Sequence, residues 1–387
     1  MQILLNTLKD NKSASVLISV DDIVAFHRSL PGYRPTPLVS LESTARKLGI
    51  GRFLVKDEGQ RFGLKAFKVL GASYAVFRML RRRCGGNLAP ETFLGEEGCR
   101  LARDMVFTCS TDGNHGRAVA WMARLLGTTA VIFMPRGSVT ARIRAIESEG
   151  ARVVIVTGGY DEAVRCAAVE GRKENHFVIA DTSYPGYTEI PRYIQEGYMT
   201  MFRECENQLK ERGEQKPALV LLQAGVGAFA SAAAMFYPLS ARGPRLVSVE
   251  PYAANCLFHS IEIGDGNPHS TGSTEQTIMA GLNCETPSGS AWPLVRDRFD
   301  AFISIEDHYA EEAMRELVGE GVVAGESGAA GLAALIALKK EYPGFLNDVL
   351  GVGNEDCVMI INTEADTDPE AYRKIVGKKA EAVSCPA

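Results

Sequence analysis

The sequence of 387 residues lacks the features that mark membrane and secreted proteins. It has no run of eighteen uninterrupted apolar residues, so we expect no transmembrane helix. The first ten residues include apolar side chains, but Asn6, Lys9 and Asp10 interrupt them and no small-residue cleavage site follows. A secretory signal peptide is therefore not indicated. These absences predict a cytoplasmic protein with no membrane partner.

Patterns typical of metal sites and disulfide frameworks are also missing. The nine cysteines are far apart and include no C-x-x-C pair, and the six histidines show no metal-ligand spacing. We therefore expect no metal site and mostly free thiols in a reducing compartment. Cys256 and Cys284 flank one irregular segment, and the sequence leaves open whether these two residues pair.

Charge and size bound the class of protein further. A net charge of −5 provides no general field for attracting nucleic acid, although it permits a local pocket for one phosphate. The sequence contains neither a Walker loop nor a G-x-S-x-G elbow. Because 387 residues with 46% hydrophobic content exceed one ordinary core, we expect two globular lobes.

The chain alternates short apolar runs with longer stretches of helical pattern. Most runs are apolar throughout, as in parallel strands that are covered on both faces. Helices are predicted at 114–126, 139–148, 190–211 and 327–340. This order of elements predicts an α/β fold. The predicted strands are 53–55, 106–109, 130–134, 153–156, 177–180, 219–222, 246–249, 301–305 and 358–361.

Two segments give the first indication of chemistry. Ser110–Gly116 is a polar turn between a strand and a helix, where backbone amides and the Asn114 side chain can bind an anion. Ala66-Phe67-Lys68 places a lysine at the start of another helix, and a lysine amine can form a Schiff base. The alternatives are an N-cap turn and a surface lysine whose charge reaches solvent. Together the segments suggest pyridoxal phosphate chemistry.

Further polar features follow other predicted strands. Leu221–Ala228 ends in two glycines before a helix, as in a phosphate-binding loop or a tight strand–helix turn. Thr363 has a hydroxyl that suits a pyridine nitrogen or a strand-end cap. Asp112 and Asp181 lie where α/β sheets bind ligands, so they suit proton acceptors or turn caps.

In this order the motifs resemble those of fold-type II pyridoxal phosphate enzymes, the tryptophan synthase β and threonine dehydratase superfamily. Within that group they closely resemble the motifs of the diaminopropionate ammonia-lyases. The resemblance spans residues 30–375, nearly the whole chain. Its matching stretches include 32–38, 55–58, 61–64, 66–68, 111–116, 181–182, 186–188, 221–228, 277–282, 325–329 and 363–368.

The resemblance implies a two-lobed architecture in which each lobe is a mostly parallel sheet covered by helices. The large cofactor-binding lobe would comprise residues 1–74 and 188–387, and the small lobe residues 75–187. Pyridoxal 5'-phosphate would lie between them. Enzymes of this type are commonly homodimers, so the resemblance implies a homodimer here as well.

The resemblance also implies roles for individual residues. Lys68, next to Phe67, would form the Schiff base with the cofactor, Asn114 would bond the ring hydroxyl, and Thr363 would face the pyridine nitrogen. The loop that would hold the phosphate consists of Gly225, Val226, Gly227, Ala228 and Phe229. The residues that would contact the substrate are Ser110, Thr111, Asp112, Gly113 and His115.

The implied reaction is the α,β-elimination of ammonia from 2,3-diaminopropionate, which yields pyruvate and ammonia. Asp112 and Asp181 match the acids that take the α-proton from the D- and L-substrates, respectively. Relatives acting on threonine or serine have a small uncharged residue in place of Asp112, so an acid there suits a substrate with a second ammonium. The alternatives are elimination or replacement on another β-substituted amino acid, such as serine, and a non-catalytic sensor, which would not need Lys68.

Overall fold

The fold is taken from a computed structural model that describes residues 1–10, 19–237, 243–273 and 275–383. The chain forms two compact units. The larger unit comprises the described parts of Met1–Ile18, Pro35–Gln60 and Met201–Ala387, and the smaller unit comprises Ser19–Arg34 and Arg61–Thr200. Lys68 belongs to the smaller unit, whereas the sequence-based division placed it in the large lobe. The lobe boundaries at residues 75 and 187 stay a prediction.

The regular elements of the described residues alternate along the chain. The strands are β1 (Gln2–Leu5), β2 (Leu38–Ser40), β3 (Arg52–Asp57), β4 (Val106–Ser110), β5 (Thr129–Met134), β6 (Arg152–Ile155), β7 (His176–Val178), β8 (Leu219–Gln223), β9 (Arg245–Pro251), β10 (Ala301–Ile305) and β11 (Cys357–Asn362). The helices are α1 (Val20–Ser29), α2 (Glu42–Leu48), α3 (Lys68–Arg83), α4 (Glu96–Ala102), α5 (Asn114–Leu126), α6 (Thr140–Glu147), α7 (Tyr160–Glu170), α8 (Glu189–Glu211), α9 (Ala228–Phe236), α10 (Cys256–Ile263), α11 (Trp292–Arg298), α12 (Asp307–Gly319), α13 (Ala330–Glu341) and α14 (Pro369–Val376).

The larger unit contains a seven-stranded sheet in the order β1-β10-β9-β8-β11-β3-β2. Its five central strands run parallel to one another, and the edge strands β1 and β2 pair antiparallel with β10 and β3. Every residue of β8 and β11 is buried, which agrees with the apolar composition of these strands. Their carboxyl ends lie side by side, so the segments after Gln223 and Asn362 emerge at the same edge of the sheet.

The smaller unit contains a four-stranded parallel sheet in the order β6-β5-β4-β7. Strand β4 is central and ends at Ser110, and β7 beside it ends at Val178. The segments that follow these neighbouring strands contain Asp112 and Asp181. The topology of the smaller sheet therefore brings the two acids to one edge.

The nine strands expected from the sequence are all present, and the α/β class with two mostly parallel sheets is confirmed. The sequence analysis missed β1 and β2. Both are short edge strands with partly exposed residues, so they lack the uniformly apolar run by which the other strands were found.

The described residues bear on the expected lack of membrane-spanning helices and on the question of a Cys256–Cys284 disulfide. None of the helices there combines the length and the apolar character that a membrane crossing requires. Cys256 and Cys284 are not joined in a disulfide. The Cys256 thiol instead donates to the carbonyl oxygen of Gly225, 3.5 Å away.

Close packing against α8 fixes the helix that begins with Lys68. A Cβ atom on Gly197 would lie 2.4 Å from the carbonyl oxygen of Leu70, and one on Gly71 would lie 2.6 Å from the Tyr198 ring. Glycine at these two positions lets α3 and α8 approach more closely than side chains allow. The contact holds the first turn of α3 in place.

Candidate active site

Lys68 is the first residue of α3, as the sequence predicted. The turn before it contains two residues in the left-handed region, Phe62 at φ 50° and Lys65 at φ 61°. Non-glycine residues rarely adopt this conformation, and such strain is concentrated at functional sites. Lys65 therefore lies outside the helix, which distinguishes the backbone environments of the two neighbouring lysines.

The amine of Lys68 forms an ion pair with Asp181. Its Nζ lies 2.6 Å from Oδ2 of Asp181, and both side chains are mostly buried. Burial alone would raise the pKa of Asp181, but the charges of Lys68 and His115 and the hydrogen bond from Lys68 outweigh it and lower this pKa. Asp181 is therefore a carboxylate at neutral pH. Lys68 is neither an isolated desolvated amine nor a lysine whose charge is simply solvated.

Aromatic side chains surround this ion pair. The Phe67 and Tyr198 rings pack with centroids 4.7 Å apart, and the Lys68 Nζ lies 5.5 Å from the Phe67 centroid. Burial raises the pKa of the Tyr198 phenol, and the nearby Lys68 charge only partly offsets that rise. Tyr198 is thus a neutral hydroxyl near the Lys68 amine.

The turn between β4 and α5 is built around Thr111. Its Oγ1 accepts hydrogen bonds from the amides of Gly113 at 2.9 Å and Gly116 at 3.1 Å. A Cβ on Gly116 would lie 2.4 Å from the Thr111 methyl group, so this glycine permits the tight turn. The cap interpretation of the turn is therefore correct for Thr111. Within the described part of the chain, the same interpretation does not extend to Asp112, whose side chain caps no amide of this turn; Asn114 begins α5.

Asp112 has a different electrostatic environment from Asp181. Burial raises the pKa of Asp112 to about 6; the negative charge of Asp181 adds to the rise, while Arg142 and Lys68 oppose it. Arg142 packs closely here, since a Cβ on Gly113 would lie 2.7 Å from its Cδ. The two acids thus share one electrostatic cluster but ionise in different pH ranges, a pattern typical of acid–base sites.

His115 has a structural contact with the other acid-bearing segment. Its Nε2 lies 2.7 Å from the carbonyl oxygen of Ile179, so Nε2 must be the protonated nitrogen that donates. Burial lowers the pKa of His115, and the Lys68 charge adds to this effect despite the opposing charge of Asp181. His115 therefore links the turn after β4 to the segment that contains Asp181.

In the larger unit, the loop after β8 fits a phosphate. Gly227 has φ 92° and precedes α9, whose N-terminus receives no side-chain cap among the described residues. A Cβ on Gly225 would lie 2.8 Å from the Cys284 sulfur and 3.3 Å from Cα of Leu282. An uncapped helix N-terminus with glycine at the crowded position offers backbone amides to an anion. The five residues from Gly225 to Phe229 therefore fit the phosphate of the cofactor.

Thr363 follows β11 at the same sheet edge as this loop. Its hydroxyl lies 2.9 Å from Nε2 of Gln223, the last residue of β8. The side chain of Thr363 is buried. A buried hydroxyl beside a phosphate-binding loop suits the pyridine nitrogen of the same cofactor.

The structure thus brings the predicted residues together in two groups. The smaller unit gathers Lys68, Phe67, Asp181 and the whole 110–116 turn, and the larger unit gathers the 225–229 loop and Thr363. Sequence reasoning missed Arg142, Tyr198 and the contact of Gln223 with Thr363. Gln223 offered a signal, because it is a polar residue at the end of an otherwise apolar strand, whereas Arg142 and Tyr198 lie within ordinary helical patterns.

The sequence was also compared with known protein families and proteins. A sequence model of the family described as "Pyridoxal-phosphate dependent enzyme" matches residues 29–350. The diaminopropionate ammonia-lyase of Salmonella typhimurium is 39% identical, over 92% of this chain and 91% of that protein. The enzyme of the same name from Escherichia coli K12 is 38% identical, over 93% and 91%.

Solved structures show the same similarity. The Escherichia coli diaminopropionate ammonia lyase with an aminoacrylate-PLP azomethine reaction intermediate has a TM-score of 0.87 and 36% identity, over 97% of this chain and 96% of that one. The same enzyme with D-serine also has a TM-score of 0.87. Tomato threonine deaminase isoform 2, at 21% identity and a TM-score of 0.73, shares the fold. The predicted fold-type II architecture is confirmed.

Proposed function

This chain belongs to the family of pyridoxal-phosphate dependent enzymes, and on that premise we propose that it is an ammonia-lyase acting on 2,3-diaminopropionate. The elimination releases the β-amine as ammonia, and hydrolysis of the enamine product gives pyruvate and a second ammonia. The observation that favours this substrate is the position of Asp112 in one electrostatic cluster with Lys68 and Asp181. A carboxylate there attracts the second ammonium that distinguishes diaminopropionate from serine or threonine.

Different residues would bind different parts of the cofactor. When bound, pyridoxal phosphate supplies an electron-accepting ring that makes the α-proton of the substrate acidic. The Lys68 amine would hold its aldehyde, the amides of the 225–229 loop its phosphate, Asn114 its ring hydroxyl and Thr363 its nitrogen. A neutral hydroxyl at the nitrogen, rather than an acid, leaves the ring largely unprotonated and favours elimination over transamination.

The two acids would act as alternative bases. Asp181, whose Oδ2 contacts the Lys68 amine, would take the α-proton of the L-isomer, and the Asp112 carboxylate would take that of the D-isomer. The two acids lose their protons over different pH ranges, and each can accept the α-proton only while it is a carboxylate. Thr111 and His115 keep the two acid-bearing segments in place.

A panel of amino acids tests this function. We expect purified holoenzyme to release two ammonia molecules per pyruvate from D- or L-diaminopropionate. Serine would release one ammonia per pyruvate, so the ratio identifies the substrate that is consumed. Higher kcat/KM for serine, threonine or O-activated serine than for diaminopropionate would contradict the assignment. A protein that binds amino acids but releases no pyruvate from any of them would be a sensor.

The pH dependence should differ between the two isomers. Because the pKa of Asp112 is raised to about 6, kcat/KM for the D-isomer should fall as the pH decreases through about 6. The lowered pKa of Asp181 keeps this base ionised in the same range, so the L-isomer should show no loss from that source. Enantiomers share the same solution pKa values, so the D/L ratio of kcat/KM between pH 5 and 8 cancels substrate ionisation. A constant ratio would refute separate bases.

Crowding at Gly225 predicts the effect of a single methyl group. Gly225→Ala places a Cβ against the Cys284 sulfur and the Leu282 backbone, so the phosphate loop must shift. We expect the affinity for pyridoxal phosphate to fall about tenfold, which fluorescence titration of the apoenzyme measures. Gly319→Ala is the matched control, since that helical glycine has nothing within 4 Å of its Cβ position. Equal affinities in both variants would exclude this loop as the phosphate site.

The assembly and location follow from the resemblance as part of the same proposal. A homodimer in the cytoplasm agrees with the family expectation and with the described chain's free thiols. Light scattering of the holoenzyme should give twice the chain mass of 41.9 kDa, and a monomer mass would remove the dimer from the proposal.

A further inference from the structure

The hydrogen bond between Gln223 and Thr363 can run in only one direction, from the Gln223 amide to the Thr363 hydroxyl. The Gln223 side chain is 1% exposed, at the carboxyl end of β8. Its Nε2 lies 2.9 Å from the carbonyl oxygen of Ile361, 3.0 Å from that of Ser327 and 2.9 Å from Oγ1 of Thr363. With the Gly328 carbonyl oxygen at 3.5 Å, four oxygen acceptors lie around this one amide nitrogen.

This arrangement fixes which end of the Gln223 amide faces the cluster. Backbone carbonyl oxygens accept but never donate hydrogen bonds, so the group facing Ile361 and Ser327 must be the NH₂ group. The reversed amide would place its own oxygen against two carbonyl oxygens. The orientation thus follows from the partners and does not depend on distinguishing nitrogen from oxygen.

The same chemistry fixes the direction of the Thr363 hydroxyl. An amide nitrogen has no lone pair to accept with, so Thr363 can only accept from Gln223 and cannot donate to it. Among the described residues no protein group accepts the Thr363 hydrogen. That hydrogen therefore points away from Gln223 and is available to an acceptor on a ligand.

We infer that Gln223 is a positioning residue that fixes Thr363 as a hydrogen-bond donor to the pyridine nitrogen of the cofactor. This inference rests on the proposed role of Thr363 and extends it. A nitrogen that accepts a hydrogen bond stays neutral, whereas one that donates must be protonated. Gln223 would thus set the protonation state of the ring without touching it.

The ring nitrogen reports the effect directly. We would reconstitute the enzyme with ¹⁵N-labelled pyridoxal phosphate and record its ¹⁵N resonance without substrate. The wild type should show a neutral, hydrogen-bonded nitrogen. In Gln223→Glu a protonated carboxyl oxygen takes the place of Nε2, donates to the Ile361 or Ser327 carbonyl oxygen and accepts the Thr363 hydrogen. The Thr363 hydroxyl then turns a lone pair towards the ring, and the resonance should move upfield as the nitrogen is protonated. An unchanged resonance in a folded, loaded Gln223→Glu enzyme would overturn the inference.

A double-mutant cycle keeps the test valid if the buried glutamate prevents folding. Gln223→Met removes the amide while keeping a similar shape, and should lower kcat about tenfold or less and shift the ¹⁵N resonance. In the Thr363→Val background the same change should have no further effect, because Gln223 acts through Thr363. Additive effects would show that Gln223 matters only structurally.

The outcome is separable from that of the proposed function. The ¹⁵N experiment contains no amino acid, so it does not depend on which substrate the enzyme consumes. Failure of the substrate panel with a neutral ring nitrogen and a responsive Gln223 would reject diaminopropionate alone. A protonated nitrogen in an enzyme that does release pyruvate from diaminopropionate would reject the role of Gln223 alone.

Discussion

Replacing Lys68 with alanine should abolish turnover, with kcat falling by more than about 10³-fold. The variant should also lose the yellow colour of cofactor bound through a C=N bond. Lys68 begins α3, follows a strained turn, and places its Nζ 2.6 Å from Asp181. Steady-state kinetics and absorbance spectra of the reconstituted variant measure both effects.

Two companion variants separate covalent chemistry from the loss of a charge. Lys68→Ala leaves the mostly buried Asp181 without its cation, which raises the pKa of that acid. Lys68→Arg retains a cation near Asp181 but cannot form the C=N bond, so it should be equally inactive. Lys65→Ala removes the amine of the neighbouring lysine, whose backbone φ is 61°. This variant should stay yellow and active. A colourless Lys65→Ala enzyme would show that the lysine assignment is wrong.

The second large effect is a reversal of stereochemical preference between two variants. Asp112→Asn should lower kcat for the D-isomer by about 10²- to 10³-fold and affect the L-isomer much less, because an amide cannot accept the α-proton. Asp181→Asn should do the reverse. Progress curves with each pure enantiomer of 2,3-diaminopropionate, followed by pyruvate release, give the two ratios.

These variants contain their own controls. Asparagine has nearly the shape of aspartate, and each enzyme is compared with itself on two mirror-image substrates, so a general loss of folding or loading cancels. The Asp181 variant also breaks the contact with Lys68, so part of its loss will be common to both isomers. Equal losses for both isomers in both variants would contradict separate bases.

Much of the fold was predictable because fully buried strands consist almost entirely of apolar residues. Strands β8 and β11 are entirely buried and read as continuous apolar runs, so their positions and the α/β class followed directly. The N-terminus of α5 was placed correctly because Gly113 and Asn114 mark it. Edge strand β2 has three residues and a partly exposed face, and no periodic signal identifies such a segment.

The candidate site divides in the same way. Lys68, Asp112 and Asp181 stand at element ends, where a polar residue interrupts an apolar pattern and can be noticed. Their ion pairing and their different pKa values depend on contacts between segments 113 residues apart in sequence. Arg142 lies in the first turn of a helix of ordinary composition, so its effect on Asp112 emerges only when the chain folds.

The most direct test of this account is to trap the cofactor on its lysine. Fully loaded enzyme would be reduced with borohydride, digested and analysed by mass spectrometry for the peptide with the added pyridoxyl phosphate. The account predicts the modification on Lys68 and none on Lys65. A modified peptide from elsewhere in the chain, or none from a fully loaded sample, would contradict it.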